Sequence, residues 1–208
     1  MPDDIQVFNR QDAEVIKKEI LYQGFCQVER YTIRNRLFSG GWSQPYLREI
    51  VSRHNVAGVI PYDPKLDYIV LIEQFRAGAM LHEGSPWLLE IVAGVMDRGN
   101  SESYETLAKR EVKEEAGLEV LDLMLIYDYL PSPGGSSNFF RLFCAKVDAT
   151  KAPKFCGLAE EQEDIKIHVV PSATAFAWVR SGKIRNAPAI IALQWLELNL
   201  KNVRRWWE

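Results

Sequence analysis

Three glutamates, Glu111, Glu114 and Glu115, fall within five consecutive positions of the stretch AGVMDRGNSESYETLAKREVKEEAGL, Ala93 to Leu118. Arg110 to Leu118 reads as helix, because Leu107, Ala108, Val112 and Ala116 recur at helical spacing and Gly117 stands where a C-cap belongs. At about 100° per residue the three carboxylates share an arc of roughly 100°. Tyr104, Leu107 and Ala108 lie on or beside that arc, whereas Lys109 and Lys113 project from the opposite side. Like charges at i,i+4, such as Glu111 and Glu115, disfavour an isolated helix, and apolar neighbours add a desolvation cost. One reading is a Glu-rich amphipathic helix whose acids hold it in water. The other is a cluster of oxygen donors with no His or Cys nearby, which suits a hard divalent cation, Mg²⁺ or Mn²⁺. The lysines on the far face favour the second. Glu102 falls on the other side of the helix from Glu111 and reads as an end-of-helix acid favoured by the dipole.

The elements that must position these residues follow from the apolar pattern. VAGVIPY and YIVLIEQF are apolar runs joined by the turn-rich DPKLD, a hairpin, and Arg76 follows directly. Ala77 to Ser85 reads as a loop, and WLLEIVAG leads into the helix. Beyond it come the strand-like EVLDLMLIYDYL, the loop SPGGSS, FFRLFCAKV, and a poorly patterned stretch from Asp148 to Asp164 that carries AEEQED. IKIHVV is the last strand, SATAFAWVRSG a helix, and AIIALQWLELNL a terminal amphipathic helix. Ahead of all this, residues 1–50 contain alternating strand-like segments, FCQVERYTIRNRLF among them, with Ser39-Gly40-Gly41 as a turn. This N-terminal section has little core of its own and would gain by pairing with a partner. The order of elements is α+β, with residues 1–50 as an antiparallel sheet section and 51–208 as the main domain.

Composition sets outer limits. The 208 residues are 47% hydrophobic, enough for a full core, and the net charge of −3 offers no basic footprint for nucleic acid. No apolar run approaches membrane length, and the acidic start MPDDIQ lacks the pattern of a signal peptide. Cys26, Cys144 and Cys156 are few and scattered, as in a reduced cytosol. His54, His82 and His168 show no metal spacing. The expectation is a cytoplasmic enzyme that binds neither membrane nor nucleic acid.

Glu102 to Leu118 resembles the Nudix box, G-x5-E-x7-R-E-U-x-E-E-x-G-U with U a bulky aliphatic residue, at every specified position. Gly94 lies seven rather than five residues before Glu102, so the entering loop is two residues longer. Across nearly its whole length the chain is similar to the bacterial ADP-ribose pyrophosphatase branch of that family. The resemblance is carried by LYQGF, REI, VLIEQFR, WLLEIVAG, SPGG, GLAEEQEDIKIHVV and IALQWL, and by Pro133, sixteen residues beyond Gly117. It implies a Nudix fold, a mixed sheet sandwiched between helices, and Mg²⁺-dependent hydrolysis of ADP-ribose to AMP and ribose 5-phosphate. Two or three Mg²⁺ ions per site are implied, with Mn²⁺ a possible substitute. The resemblance places metal at Glu111, Glu114 and Glu115, at the Ala93 carbonyl and near Glu163, with Glu161 activating water. Arg76 would contact the diphosphate. Phe25, Arg48 and Glu49 would hold the adenine end, partly across a homodimer interface, and Gly134 of the SPGG loop would touch substrate. Read from residues alone, Phe25 serves equally well in a core and Arg76 in a surface ion pair. Asn138 stands where close relatives often carry glutamate. Two other readings stay open: a related enzyme acting on a sugar nucleotide such as GDP-mannose, and a ligand-sensing domain without catalysis.

Overall fold

The computed structural model describes residues 8–96 and 102–207, the Glu161 side chain excepted. The loop insertion expected between Gly94 and Glu102 falls on residues 97–101 and lies outside the described residues. The chain divides into two compact units.

One unit comprises the chain up to Arg53 together with Leu130–Asn138. Its frame is an antiparallel sheet of β1 (Ala13–Gln23), β2 (Gln27–Asn35) and β3 (Tyr46–Ser52), in that order. Residues 42–45 precede β3 as irregular chain with a bridge from Trp42 to Arg36. The loop Leu130–Asn138 joins this sheet through β3, where the Val51 N–H donates to Gly135 O (2.9 Å) and the Ser137 N–H donates to Val51 O (3.1 Å). Few side chains here are buried. Val15, Ile16, Ile20, Leu21 and Tyr22 of β1 are all exposed, so the sheet's apolar surface lacks a core within the unit.

The second unit holds a mixed sheet with the order β10-β11-β5-β4-β9-β8. β4 (Val56–Asp63) and β5 (Tyr68–Phe75) form the expected hairpin. β6 (Trp87–Glu90) pairs with β5, and β7 (Val92–Val95) with β4. After helix α1 (Tyr104–Ala116) come β8 (Asp122–Tyr129), β9 (Phe140–Lys146), β10 (Phe155–Cys156) and β11 (Ile165–Pro171). Among the described residues of this sheet, β4 and β9 form the one parallel strand pair. Helices α2 (Ser172–Arg180) and α3 (Ala187–Trp207) close the chain.

Covered faces explain the near-continuous apolar runs of β4 and β5. Val59, Val70, Ile72 and Phe143 pack against Leu107, Ala108, Val112 and Ala116 of α1. On the other face Ile60, Ile69, Leu71 and Leu142 meet Phe176 of α2 and Ala192, Leu193 and Leu196 of α3. The sheet is thus sandwiched between helices. α3 runs seven residues past the expected AIIALQWLELNL, ending at Trp207 rather than Leu200. Long-range bonds hold that extension: the Trp207 indole N–H donates to Asp122 Oδ2 (3.0 Å), Lys146 Nζ donates to Trp207 O (2.6 Å), and Arg204 pairs with Asp67. Among the described residues, no helix is long and apolar enough to cross a membrane.

Candidate active site

The glutamate-bearing helix is closed at both ends by its own sequence. The Ser103 side chain caps the N-terminus by accepting the Thr106 N–H (3.1 Å). Gly117 ends it at φ 66°, the left-handed conformation glycine adopts without strain, and its N–H donates to Lys113 O. Glu102 lies just before this cap, at the N-terminal end where an end-of-helix acid was expected, but it shares Arg110 with Glu111, which corrects its placement on the far side of the helix. Its Oε1 stands 3.5 Å from Arg110 Nε. The same guanidinium reaches Glu111 Oε1 at 2.9 Å and Glu114 Oε2 at 2.6 Å. Arg110 therefore gathers three box carboxylates around one permanent positive charge.

Glu115 is turned the other way. Its side chain enters the interface between α1 and the sheet, leaving the residue 3% exposed, and Oε2 accepts the Ala93 N–H at 2.9 Å. Burial pushes its carboxyl up to about 8. The Ala93 N–H opposes that rise, Glu111 and Glu163 add to it by repulsion, and Arg76 opposes it weakly. What the structure records for Ala93 is this N–H donation and a pairing with Gly58 in β4.

Gly94, one residue on, explains how Glu111 comes so close to the sheet. A Cβ at this position would land on the Glu111 carboxyl group, so only glycine leaves room for it. Gly94→Ala is expected to displace that carboxylate and weaken Mg²⁺ or Mn²⁺ binding by about 10–100-fold, measured as thermal stabilisation against metal concentration. Unaltered stabilisation would show that metal binding does not need Glu111 in this position.

The acidic loop reaches the box through the β10–β11 hairpin. Cys156 Sγ donates to Glu114 O at 3.1 Å, tying the hairpin to the last turn of α1. Glu163 then sits within electrostatic reach of Glu115, and its Oε2 accepts the Leu158 N–H at 3.3 Å. The backbone of Glu161 ends the short 3-10 turn Ala159–Glu161, and its side chain lies outside the described residues. Arg76 is paired with Glu90, with Nη2 and Nε at 2.7 Å and 2.8 Å from Oε2. Sequence reasoning missed Glu90. Its signal was a lone carboxylate inside the apolar run WLLEIVAG, directly across from Ile72 in the sheet.

This donor set fits a divalent cation. It is all oxygen, it carries surplus negative charge, and one member is buried at a desolvation cost that a bound cation would relieve. Among the described residues, no three donors stand already converged as a finished metal cage. Arg110 holds Glu111 and Glu114, while Glu115 faces the Ala93 N–H.

The residues expected at the adenine end fall in the other unit. Phe25 is 99% exposed in the turn between β1 and β2, so it has no core role within the chain. Arg48 lies over the Tyr46 ring, 4.5 Å from its centroid, and Glu49 pairs with Arg30 at 2.7 Å. Gly134 is open, with nothing within 4 Å of where a Cβ would stand. Asn138 accepts the Ser136 hydroxyl at 2.7 Å, a bond local to its loop. Ala93, Glu111, Glu114, Glu115, Glu163 and Arg76 thus belong to one unit, and Phe25, Arg48, Glu49 and Gly134 to the other.

Residues 52–191 match the family model described as NUDIX domain. The chain is 45% identical over 207 residues to the ADP-ribose pyrophosphatase of Escherichia coli K12, covering 99% of this chain and 98% of that one. It is 42% identical over 208 residues to the ADP-ribose pyrophosphatase of Haemophilus influenzae, covering 99% and 95%. With the GDP-mannose pyrophosphatase of Cronobacter sakazakii it shares 31% over 190 residues, covering 90% and 96%. A solved structure described as an ADP compounds hydrolase superposes with a TM-score of 0.70 at 21% identity, covering 95% of this chain and 98% of that one, which speaks for the fold.

Proposed function

The chain belongs to the NUDIX domain family, and on that premise we propose that it hydrolyses the diphosphate of ADP-ribose, giving AMP and ribose 5-phosphate. The observation that carries this reading is its end-to-end similarity, at 42% and 45% identity, to two ADP-ribose pyrophosphatases, against 31% to a GDP-mannose pyrophosphatase.

Glu111, Glu114 and Glu115 hold Mg²⁺, two or three ions per site, with Glu163 and the Ala93 carbonyl completing the donor set. When bound, the metal neutralises the diphosphate and makes water acidic enough to lose a proton near neutral pH. Glu161 accepts that proton. Arg76 presents its guanidinium plane to the diphosphate oxygens, and the bond to Glu90 fixes the direction of that plane. No covalent intermediate is required. The nearest competing substrate class is another nucleoside diphosphate sugar, so the test is a Mg²⁺-dependent comparison of ADP-ribose with GDP-mannose. Release of AMP and ribose 5-phosphate at the higher kcat/KM supports the reading. Preference for GDP-mannose, or no turnover of either, overturns it.

The enzyme works in the cytoplasm, where its three free cysteines stay reduced. It works as a homodimer, with Phe25, Arg48, Glu49 and Gly134 of one protomer serving the adenine end of the substrate held by its partner's carboxylates. The exposed apolar residues of β1 support pairing with a second copy. Mixing a Glu115→Gln chain with an Arg48→Ala chain is expected to restore part of the activity, because one of the two sites in a mixed dimer keeps both of its halves. A fully active monomer, or mixing that restores nothing, would sink the shared site.

A further inference from the structure

Gln74 is a polar residue without a visible reason to be where it is. It lies near the end of β5, is 5% exposed, and its buried Nε2 has no hydrogen-bond partner among the described residues. Rotation about Cγ–Cδ exchanges the amide nitrogen and oxygen but leaves one buried polar atom unpaired either way. A buried amide in this state costs stability, and native chains keep few of them.

Strand alternation tells which way it faces. Val70 and Ile72 of β5 point toward α1, and Leu71 points toward α3. β5 keeps regular register with both β11 and β6, without a bulge, so Gln74 shares the α1 face. Arg76, two residues on and still extended at φ −127° and ψ 108°, continues that face. Residues two apart on a strand stand about 7 Å from one another. Across from Ile72 is Glu90, the partner of Arg76. On the other side, the pairing of Lys166 with Glu73 brings the start of β11, just after the acidic loop, alongside Gln74. The carboxylates on this face are engaged elsewhere, Glu90 by Arg76 and Glu115 by the Ala93 N–H. A donor retained here is placed to meet a ligand that enters beside Arg76.

We propose that the Gln74 carboxamide is a further substrate-binding group, donating a hydrogen bond to a non-bridging diphosphate oxygen beside the one held by Arg76. This rests on the reading of the chain as an ADP-ribose hydrolase. A neutral amide suits this role because it supplies a donor among carboxylates without adding a positive charge that would compete with the metal for them.

The test is Gln74→Met, which keeps length and volume and removes both polar atoms. The variant is expected to melt at the wild-type temperature or roughly 2–4 °C above it, because an unpaired buried amide has been replaced by an apolar group. Its kcat/KM for ADP-ribose is expected to fall about 10–100-fold, the size of one lost hydrogen bond to a charged group. Thermal stabilisation by Mg²⁺ alone should stay as in wild type. Gln74→Glu, isosteric but unable to donate when ionised, should raise KM at least as much. A purely structural glutamine gives the opposite pattern, a lower melting temperature with kcat/KM near normal in the folded fraction, and that overturns the assignment. So does wild-type turnover by Gln74→Met. If the wild-type chain leaves ADP-ribose intact, the functional reading falls and this assignment with it. Loss confined to the variants' own kinetics cannot be confused with that outcome.

Discussion

Glu115→Gln is expected to lower kcat for ADP-ribose by about 10³-fold or more while leaving the fold at least as stable as before. The two halves of this expectation come from one geometry. Glu115 is buried between α1 and the sheet, and its carboxyl is held near 8 by desolvation and by repulsion from Glu111 and Glu163. Glutamine has the same shape and keeps an oxygen for the Ala93 N–H, so the fold loses a buried group that is costly to ionise and keeps its hydrogen bond. The proposed metal site would lose its most deeply placed carboxylate. Stabilisation by Mg²⁺ should therefore disappear with the activity. For a one-site ligand at about 100 times its Kd that stabilisation is roughly 2.7 kcal/mol, large enough to read from a melting curve. Near-normal turnover at saturating Mg²⁺ would remove Glu115 from the metal's donors.

The contrast between Glu115 and Glu90 shows where sequence reading stops. The helix carrying Glu115 was legible because its signals were local, apolar residues at helical spacing and Gly117 at the C-cap; its start, at Tyr104 behind the Ser103 cap rather than at Arg110, was not read. The β4–β5 hairpin was legible for the same reason. The Arg76–Glu90 pair depends on β6 folding back beside β5, and no local pattern encodes which buried carboxylate an arginine will meet. Glu102 was placed on the wrong side because a helical wheel was carried past the Ser103 cap, where the helix begins, to the residue just before it. The last seven residues of α3 were missed because what holds them, Asp122, Lys146 and Asp67, lies far away in the chain. The grouping of Leu130–Asn138 with β3 has the same character, since it rests on backbone bonds to Val51. Glycine is the instructive intermediate. Gly94 was visible as a box residue, but its reason, the approach of the Glu111 carboxylate, is a tertiary fact.

The second large effect is expected at the acidic loop, where Glu161→Gln should reduce kcat by about 10²–10⁴-fold with KM little changed. Of the loop's four acids, Glu160, Glu161, Glu163 and Asp164, the expected roles fall on Glu161 and Glu163. Glu163 is committed: it accepts the Leu158 N–H and lies in the field of Glu115, which suits a group that shares metal charge. Glu161 ends the 3-10 turn Ala159–Glu161, which Gln162 closes in a left-handed conformation at φ 58°. A single-residue reversal of this kind fixes the turn's exit and turns the backbone between positions 161 and 163. Two roles require such a separation, because a carboxylate that shares charge with metal has lost the basicity needed to take a proton from water. Glu163→Gln should then weaken Mg²⁺ stabilisation and leave kcat largely recoverable at high Mg²⁺, whereas the Glu161→Gln defect should resist added metal. If Glu161→Gln changes KM alone, Glu161 is a binding residue. If the metal-resistant loss in kcat appears instead in Glu163→Gln, the two assignments exchange places.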